Sequence, residues 1–486
     1  MNKSSKSFVV LSSITLDDPT IKKSSVSTKV TVTDNEHHTS TFVLQCKYQQ
    51  QLTESHRPLL RLACIMPLLN YGLFTKNIYF QFPISTADMA LVQEFHRVFS
   101  KDIFVNKILR RRANYILPQY VPDETKITAQ DAEPKAELIP LKLIKDTPLG
   151  SDMDPWSCGI LSSGGKESLL TYGLLKEIGC TVSPFYVNES GGHWRTALPA
   201  YRYHEKNEPN TQRVWTNLDR FYTFMLDHLA FIRPDHRTVR ADTYPLRLCL
   251  FPVYVFLLLP IFVANHVGNL LIGSEFDDLR STPIHHNITH YYGIYDQHQD
   301  YDRVMNAWYT LRIPGLIQWS AVRCLTGLIE EKILVDRYPS LARVQRSCHS
   351  CHFEGEQIVP CGTCSKCMGI LLFLLANNVD PRIMQFKEKD IHSFTKRVQP
   401  ANLRLDQDEQ QQSFHLIGHQ ENIPLCDAVP HVEQIHINSN TCDPCRIPEH
   451  LRSLLFTIFE HYTTGTCILQ NEQWVKLEKP LHYLGC

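Results

Sequence analysis

The chain has 486 residues, with 49 basic and 50 acidic side chains and a formal charge of −1. That balance leaves no whole-chain electrostatic footprint of a dedicated nucleic-acid binder, and the apolar content of 43% is ample for packed cores. The polar start, Met1 to Ser7, lacks the apolar stretch of a signal peptide and sets the expectation of a cytoplasmic protein. The 16 cysteines would be many for a reducing compartment, but five fall between Cys348 and Cys367, a distribution that favours metal binding over a disulfide framework.

Along the chain, 1–24 reads as a polar end or short strand, and Val26 to Thr33 with Thr41 to Tyr48 as a hairpin turning at Asp34-Asn35-Glu36. Pro58 to Asn70 predicts a helix, Asn77 to Phe82 a strand, and Asp88 to Ser100 a helix with Met89, Val92, Phe95, Val98 and Phe99 on one face. Asp102 to Ile108 is expected as a strand, and Arg110-Arg111-Arg112 as a solvated turn. These residues, 1–117, form an expected N-terminal α+β domain. Between 118 and 155 the prolines Pro122, Pro134, Pro140, Pro148 and Pro155, mixed with charged residues, suggest a linker.

From 156 to 345 strand and helix alternate, with strands expected at 158–162, 181–187, 237–241 and 269–273 and helices near 167–178, 211–231 and 247–267. This pattern predicts an α/β domain: a parallel sheet with helices on both faces and ligands at the carboxyl ends of the strands. Leu248 to Ala264 is apolar throughout, near the lower limit for a membrane span, yet it holds Pro252 and Pro260 and leads straight into a strand. A helix buried between two strands explains it better, so no membrane association is expected.

Two loops at the expected strand ends carry chemistry. Ser163-Gly164-Gly165-Lys166-Glu167-Ser168 joins a strand to a helix whose apolar Leu169, Leu170, Leu174, Leu175 and Ile178 end at Gly179. Glycines let backbone N–H groups approach an anion, and a helix N-terminus adds unpaired donors and partial positive charge. Gly273-Ser274-Glu275-Phe276-Asp277-Asp278 is the second loop. The His- and Tyr-rich stretch after it, with His285, His286, His290, Tyr291 and Tyr292, is expected to contact substrate rather than a metal.

Cys348, Cys351, Cys361, Cys364 and Cys367 form closely spaced pairs of the kind that grip one metal through tight turns, with Gly362 suiting such a turn. Five thiols compete for four positions, so either Cys348 or Cys351 is spare; Zn2+ in a closed structural site is favoured over an iron–sulfur cluster. This defines an expected zinc-knuckle and helical segment at 346–385. The extension 386–486 opens with a Gln-rich stretch, contains Cys442-Asp443-Pro444-Cys445 in a loop, and holds an amphipathic helix marked by Leu451, Leu454, Leu455, Ile458 and Phe459.

Taken together, Ser163-Gly164-Gly165-Lys166-Glu167-Ser168 resembles the Ser-Gly-Gly-x-Asp-Ser loop of the PP-loop ATP pyrophosphatases. The segment Cys361-Gly362-Thr363-Cys364-Ser365-Lys366-Cys367 is similar to the knuckle of the 7-cyano-7-deazaguanine synthase family. Leu325-Thr326 through Glu331-Lys332-Ile333, then Ser347-Cys348, and Pro245-x-Arg247 before a long helix also resemble that family. Glu167 stands where the family usually has Asp, and 1–150 and the last hundred residues have no counterpart in it.

The resemblance, covering about 156–385, implies a Rossmann-like (HUP-type) sheet and an ATP-dependent ligase that forms AMP and pyrophosphate. Such an enzyme adenylates a carboxylate or carbonyl oxygen for attack by ammonia or an amine. Ser163, Gly164, Gly165, Ser168 and Gly273 would then hold ATP, Lys166, Glu167 and Asp278 would act on the phosphates, and Mg2+ would be met by Glu167 or by Asp277 and Asp278. The implied partners are a small carboxylate-bearing molecule, ammonia or an amine donor, a macromolecular acceptor, and a second copy of the chain in a homodimer. The alternatives are sulfur transfer of the tRNA-thiolating type, with Cys158 as the thiol nearest the loop, and a non-catalytic nucleotide-binding subunit.

Overall fold

The structure is a computed structural model that describes residues 7–110, 114–239, 245–348, 350–398, 403–418 and 423–478. One 11-stranded sheet runs through most of it. Its strands are β1 (Leu11–Leu16), β2 (Thr20–Lys22), β3 (Ser25–Asp34), β4 (Thr39–Lys47), β5 (Thr75–Ser85), β6 (Glu137–Ile144), β7 (Asp154–Leu161), β8 (Thr181–Asn188), β9 (Gln212–Thr216), β10 (Val267–Ile272) and β11 (Ile317–Trp319). The order is β11-β10-β7-β8-β9-β4-β3-β1-β5-β6, with β2 attached to β3.

The five strands from β11 to β9 are all parallel. Read from β9 to β11 they appear along the chain third, second, first, fourth and fifth, a doubly wound order whose switch point falls between β7 and β10. Side chains alternate across the sheet. Cys158, Ile160 and Leu271 enter the core built with α3 (Lys166–Glu177), α4 (Gly192–Asn207) and α8 (Gly327–Arg337). Leu161, Leu270 and Ile272 enter the opposite core, shared with α1 (Arg57–Ile65), α2 (Thr86–Ile103), α5 (Leu218–Asp227), α6 (Leu250–Ala264) and α7 (Gln299–Arg312). The expected parallel sheet with helices on both faces is present.

The apolar stretch at 248–264 is α6, which packs against β7 and β10 on one side and α1 on the other. A helix covered on both sides needs no polar face, which explains its uniform composition. Among the described residues no helix is long and apolar enough to cross a membrane.

The N-terminal strands extend this same sheet. β4 pairs antiparallel with β9 through Cys46–Thr216 and Lys47–Trp215. Asn217 prolongs that pairing, its Oδ1 accepting the Gln45 N–H at 2.8 Å and its Nδ2 donating to the Val43 carbonyl at 2.9 Å. The 118–155 segment contributes β6, which pairs parallel with β5.

Three expected elements differ. The helix expected over 211–231 is instead β9 followed by α5, because β4 offers an edge to Val214-Trp215-Thr216. The strand expected at Asp102 to Ile108 continues helically from α2 as a π turn, Phe104–Leu109, which buries Phe104, Val105, Ile108 and Leu109 together. The strand expected at 237–241 begins in a 3-10 turn, His236–Thr238, and its last two positions, like Arg111 and Arg112, lie outside the described residues. The Gln-rich stretch forms α10 (Gln407–Ile417), after α9 (Ser365–Ala376) and before α11 (Glu449–Tyr462).

Candidate functional site

β7 ends at Leu161, and the chain turns into α3 through Ser162 to Gly165 at the switch point. Gly164 has φ +77°, and a Cβ there would lie 3.1 Å from Ala200 Cβ and 3.2 Å from Ala197 Cα. The loop is thus pressed onto α4, where a side chain would not fit. Gly165 caps α3, its N–H donating to Ser163 Oγ at 3.3 Å, while the buried Ser168 hydroxyl donates to the Gly165 carbonyl at 3.1 Å. Gly273 passes directly beneath: a Cβ there would meet Glu167 Cβ at 2.8 Å and Ser168 N at 3.0 Å. The structure therefore brings Ser163, Gly164, Gly165, Ser168 and Gly273 together at the start of a 12-residue helix, a geometry suited to an anion.

Lys166 turns inward. Its Nζ lies 2.6 Å from Glu167 Oε1 and 3.4 Å from Glu330 Oε2, and donates to Glu275. Burial works against its charge, but these three carboxylates hold its pKa well above the ordinary lysine range. Burial would also raise Glu167, and the Lys166 ammonium outweighs it and keeps that carboxyl below its usual range.

Glu409 arrives from α10, its Oε1 accepting the Leu328 N–H at 3.0 Å. Burial, and then the charge of Glu275, push Glu409 from the ordinary 4.5 up to about 8. The native state therefore keeps a proton that the unfolded chain releases, so this contribution is complete below about pH 4.5 and is lost as pH rises toward 8. Glu409→Gln keeps an acceptor for Leu328 without the titration. Urea unfolding from pH 5 to 8 should show wild-type stability falling with pH and a shallower fall in the variant.

Asp278 belongs to a second group. Arg280 donates to it at 2.7 Å and also to Asp408, and Trp474 Nε1 donates to Asp278 Oδ1 at 2.9 Å. His431 bridges Asp408 at 2.9 Å and the buried His436 at 3.1 Å. Asp278 thus engages Arg280 and the C-terminal extension instead of joining Lys166 and Glu167. Burial, followed by the charges of Glu275 and Asp406, raises the neighbouring Asp277 to about 7. The His- and Tyr-rich stretch leaves the strand edge for the end of α2, where the Tyr291 N–H donates to Asp102 Oδ1 at 2.7 Å and Tyr292 lies under Arg110.

Of the five clustered cysteines, Cys348, Cys361, Cys364 and Cys367 bring their Sγ atoms within 4.8 Å of one another. The Cys361–Cys367 and Cys348–Cys364 separations are 3.9 and 3.8 Å, close to the roughly 3.8 Å edge of a tetrahedron with metal–sulfur bonds of about 2.3 Å. These residues fit a metal such as zinc. Cys351 is the spare thiol, its Sγ directed at the Cys348 carbonyl at 3.7 Å.

Backbone N–H groups of Ser350 and Cys361 point at Cys348 Sγ, and that of Cys364 at Cys361 Sγ, as thiolates require. Gly362, at φ +71°, makes the knuckle turn, and a Cβ there would collide with Asp390. The cluster also supports the loop: the Arg346 N–H donates to the Gly164 carbonyl at 2.9 Å, and Thr196 on α4 donates to the Cys348 carbonyl at 3.1 Å.

Comparison with known proteins returns no matching family model, no matching curated protein and no matching solved structure. The residues that sequence reasoning missed are Glu275, Glu330, Asp406, Asp408, Glu409 and His431, which reach the site from separate segments. Glu275 and Glu330 lay inside segments already singled out, and Asp408 and Glu409 inside the Gln-rich stretch, but nothing local marked any of them as meeting Lys166 or Asp278.

Proposed function

We propose that this chain is an AMP-forming, PP-loop-type ATP pyrophosphatase with a HUP-type Rossmann domain. It would adenylate a carboxylate or carbonyl oxygen of a deazaguanine-like molecule for attack by ammonia or an amine. One observation carries this reading: the Ser163–Ser168 loop opens α3 at the switch point of a doubly wound sheet, beside converging carboxylates. Neither element alone would single out pyrophosphate, but anion donors next to oxygen ligands suit a nucleotide with a divalent cation.

In this reading the N-terminal donors of α3 hold the leaving pyrophosphate, with Ser163 at the mouth of the loop. Gly164 and Gly273 keep the backbone close enough for that contact. Glu167, Glu275 and Glu330 are the residues that would hold Mg2+, which when bound would neutralise phosphate charge. The thiolate cluster, read as a closed zinc site, fixes the segment that buttresses Gly164. The remaining N-terminal strands and the C-terminal extension are available to a macromolecular acceptor or a second copy.

The engagement of Lys166 by three carboxylates favours one second reading, a nucleotide-binding subunit without turnover. Sulfur transfer gains no such support, since Cys158 is fully buried in the core.

Incubation with ATP, Mg2+, ammonia and a deazaguanine carboxylate should yield AMP, pyrophosphate and a product of the expected mass. Gly164→Val should lower AMP formation by about 100-fold or more, the scale of losing a transition-state donor. Tight ATP binding with no AMP from the wild type would replace the first reading by the second.

A further inference from the structure

Three carboxylates from separate elements meet at one point. Glu167 comes from the first turn of α3, Glu275 from the loop after β10 and Glu330 from the first turn of α8, and one oxygen of each lies within 4.8 Å of the others. Lys166 Nζ stands among them, 2.6 Å from Glu167 and 3.4 Å from Glu330 and hydrogen-bonded to Glu275.

One ammonium does not satisfy this group. Glu330 is fully buried and neither of its oxygens makes a hydrogen bond. The adjacent Glu331 is equally buried, with Oε2 accepting from Gln345 Nε2 at 3.0 Å and Oε1 unbonded. Beyond the 3.4 Å ion pair with Lys166 Nζ the Glu330 oxygens have no donor, and burial pushes that carboxyl well above its ordinary range, so the group must take up either a proton or more cationic charge than one lysine brings.

A hard divalent ion bonds oxygen at about 2.0–2.2 Å, closer than an ammonium approaches, and would draw the same three side chains inward. The ion and the ammonium cannot share that centre, because like charges a few ångströms apart in a buried site repel strongly. Lysine is the residue type able to yield, being a point charge on a flexible four-carbon stem.

We propose that Glu167, Glu275 and Glu330 form a site for a divalent cation of the Mg2+ or Mn2+ class, with Lys166 as its resident competitor, so that cation entry expels Nζ from the carboxylates. The expelled charge then becomes available to an anionic ligand at the start of α3. That last use rests on the pyrophosphatase reading, whereas the exchange itself does not.

The test uses the full chain without nucleotide and follows Mn2+ binding by electron paramagnetic resonance. Mn2+ prefers oxygen ligands and so leaves the thiolate cluster aside. Lys166→Met should bind Mn2+ about tenfold more tightly than the wild type, the scale of a typical coupling between competing ligands. Lys166→Arg should show no such gain, and Glu330→Gln should bind more weakly.

In parallel, amine acylation of the wild-type protein read by mass spectrometry should show Lys166 labelling rise on adding Mn2+ or Mg2+; this arm decides the matter if Lys166→Met does not fold. Absence of Mn2+ binding, no gain in Lys166→Met, or unchanged labelling at saturating Mn2+ each overturns the proposal. A protein that passes these tests yet forms no AMP would refute the pyrophosphatase reading and leave the cation exchange standing.

Discussion

Cys364→Ser should empty the thiolate cluster of metal, while Cys351→Ser should leave one metal per chain. The contrast follows from position, because Cys364 Sγ is one of four converging sulfurs and Cys351 Sγ faces a backbone carbonyl. Structural metal sites of this kind contribute on the order of 10 kcal/mol of apparent binding free energy that is also folding free energy. Losing a ligand should therefore lower the unfolding midpoint by more than about 10 °C.

The effect should reach the loop as well, since Gly164 receives the Arg346 N–H and α4 is tied to the Cys348 carbonyl. Metal content by inductively coupled plasma mass spectrometry and thermal unfolding of both variants give the answer. Full metal content in Cys364→Ser, or loss of metal in Cys351→Ser, would sink the assignment of ligands.

The second large effect is expected at Arg312. Arg312 on α7 pairs with Asp88 on α2, Nε to Oδ1 at 2.9 Å and a terminal guanidinium nitrogen to Oδ2 at 3.0 Å, with both side chains buried. Trp308 Nε1 donates to the same Oδ1 at 2.9 Å. This pair ties the N-terminal helices to the helix that precedes β11. Removing the guanidinium strands a buried carboxylate, which costs about 3–5 kcal/mol.

Arg312→Ala should accordingly lower the free energy of unfolding in urea by that amount, through a lower midpoint with little change in slope. Adding Asp88→Asn should return part of the loss, because the stranded charge goes with it. A shift below about 1 kcal/mol in Arg312→Ala would show that water reaches Asp88 and that the pair is not the tie described.

Much of the fold was legible wherever a local pattern and its packing agreed. The β7, loop and α3 unit was readable because a short apolar run, a Gly-Gly turn and helical spacing each bias the backbone without outside help. The β3–β4 hairpin and α11 were readable for the same reason. β9 was not, since Gln212–Thr216 has helical spacing on either side of it and becomes a strand only when β4 supplies an edge. Nor was the π turn after α2, where an apolar run fits a strand or a buried helix equally well until the surrounding core selects one.

The site divides in the same way. By itself the sequence determined the components held within short runs of backbone: the glycine loop that opens α3 and the cluster of five thiols, whose chemistry depends on neighbours a few residues apart. Only the tertiary structure decided which charge meets which. Glu167, Glu275, Glu330 and Glu409 come from four elements, and Lys166 lies inward only because they converge there. It also decided that Asp278 answers to Arg280 and that Cys351 is spare. Such pairings are made by packing between distant segments, and burial then multiplies their electrostatic weight, so no local run of residues records them.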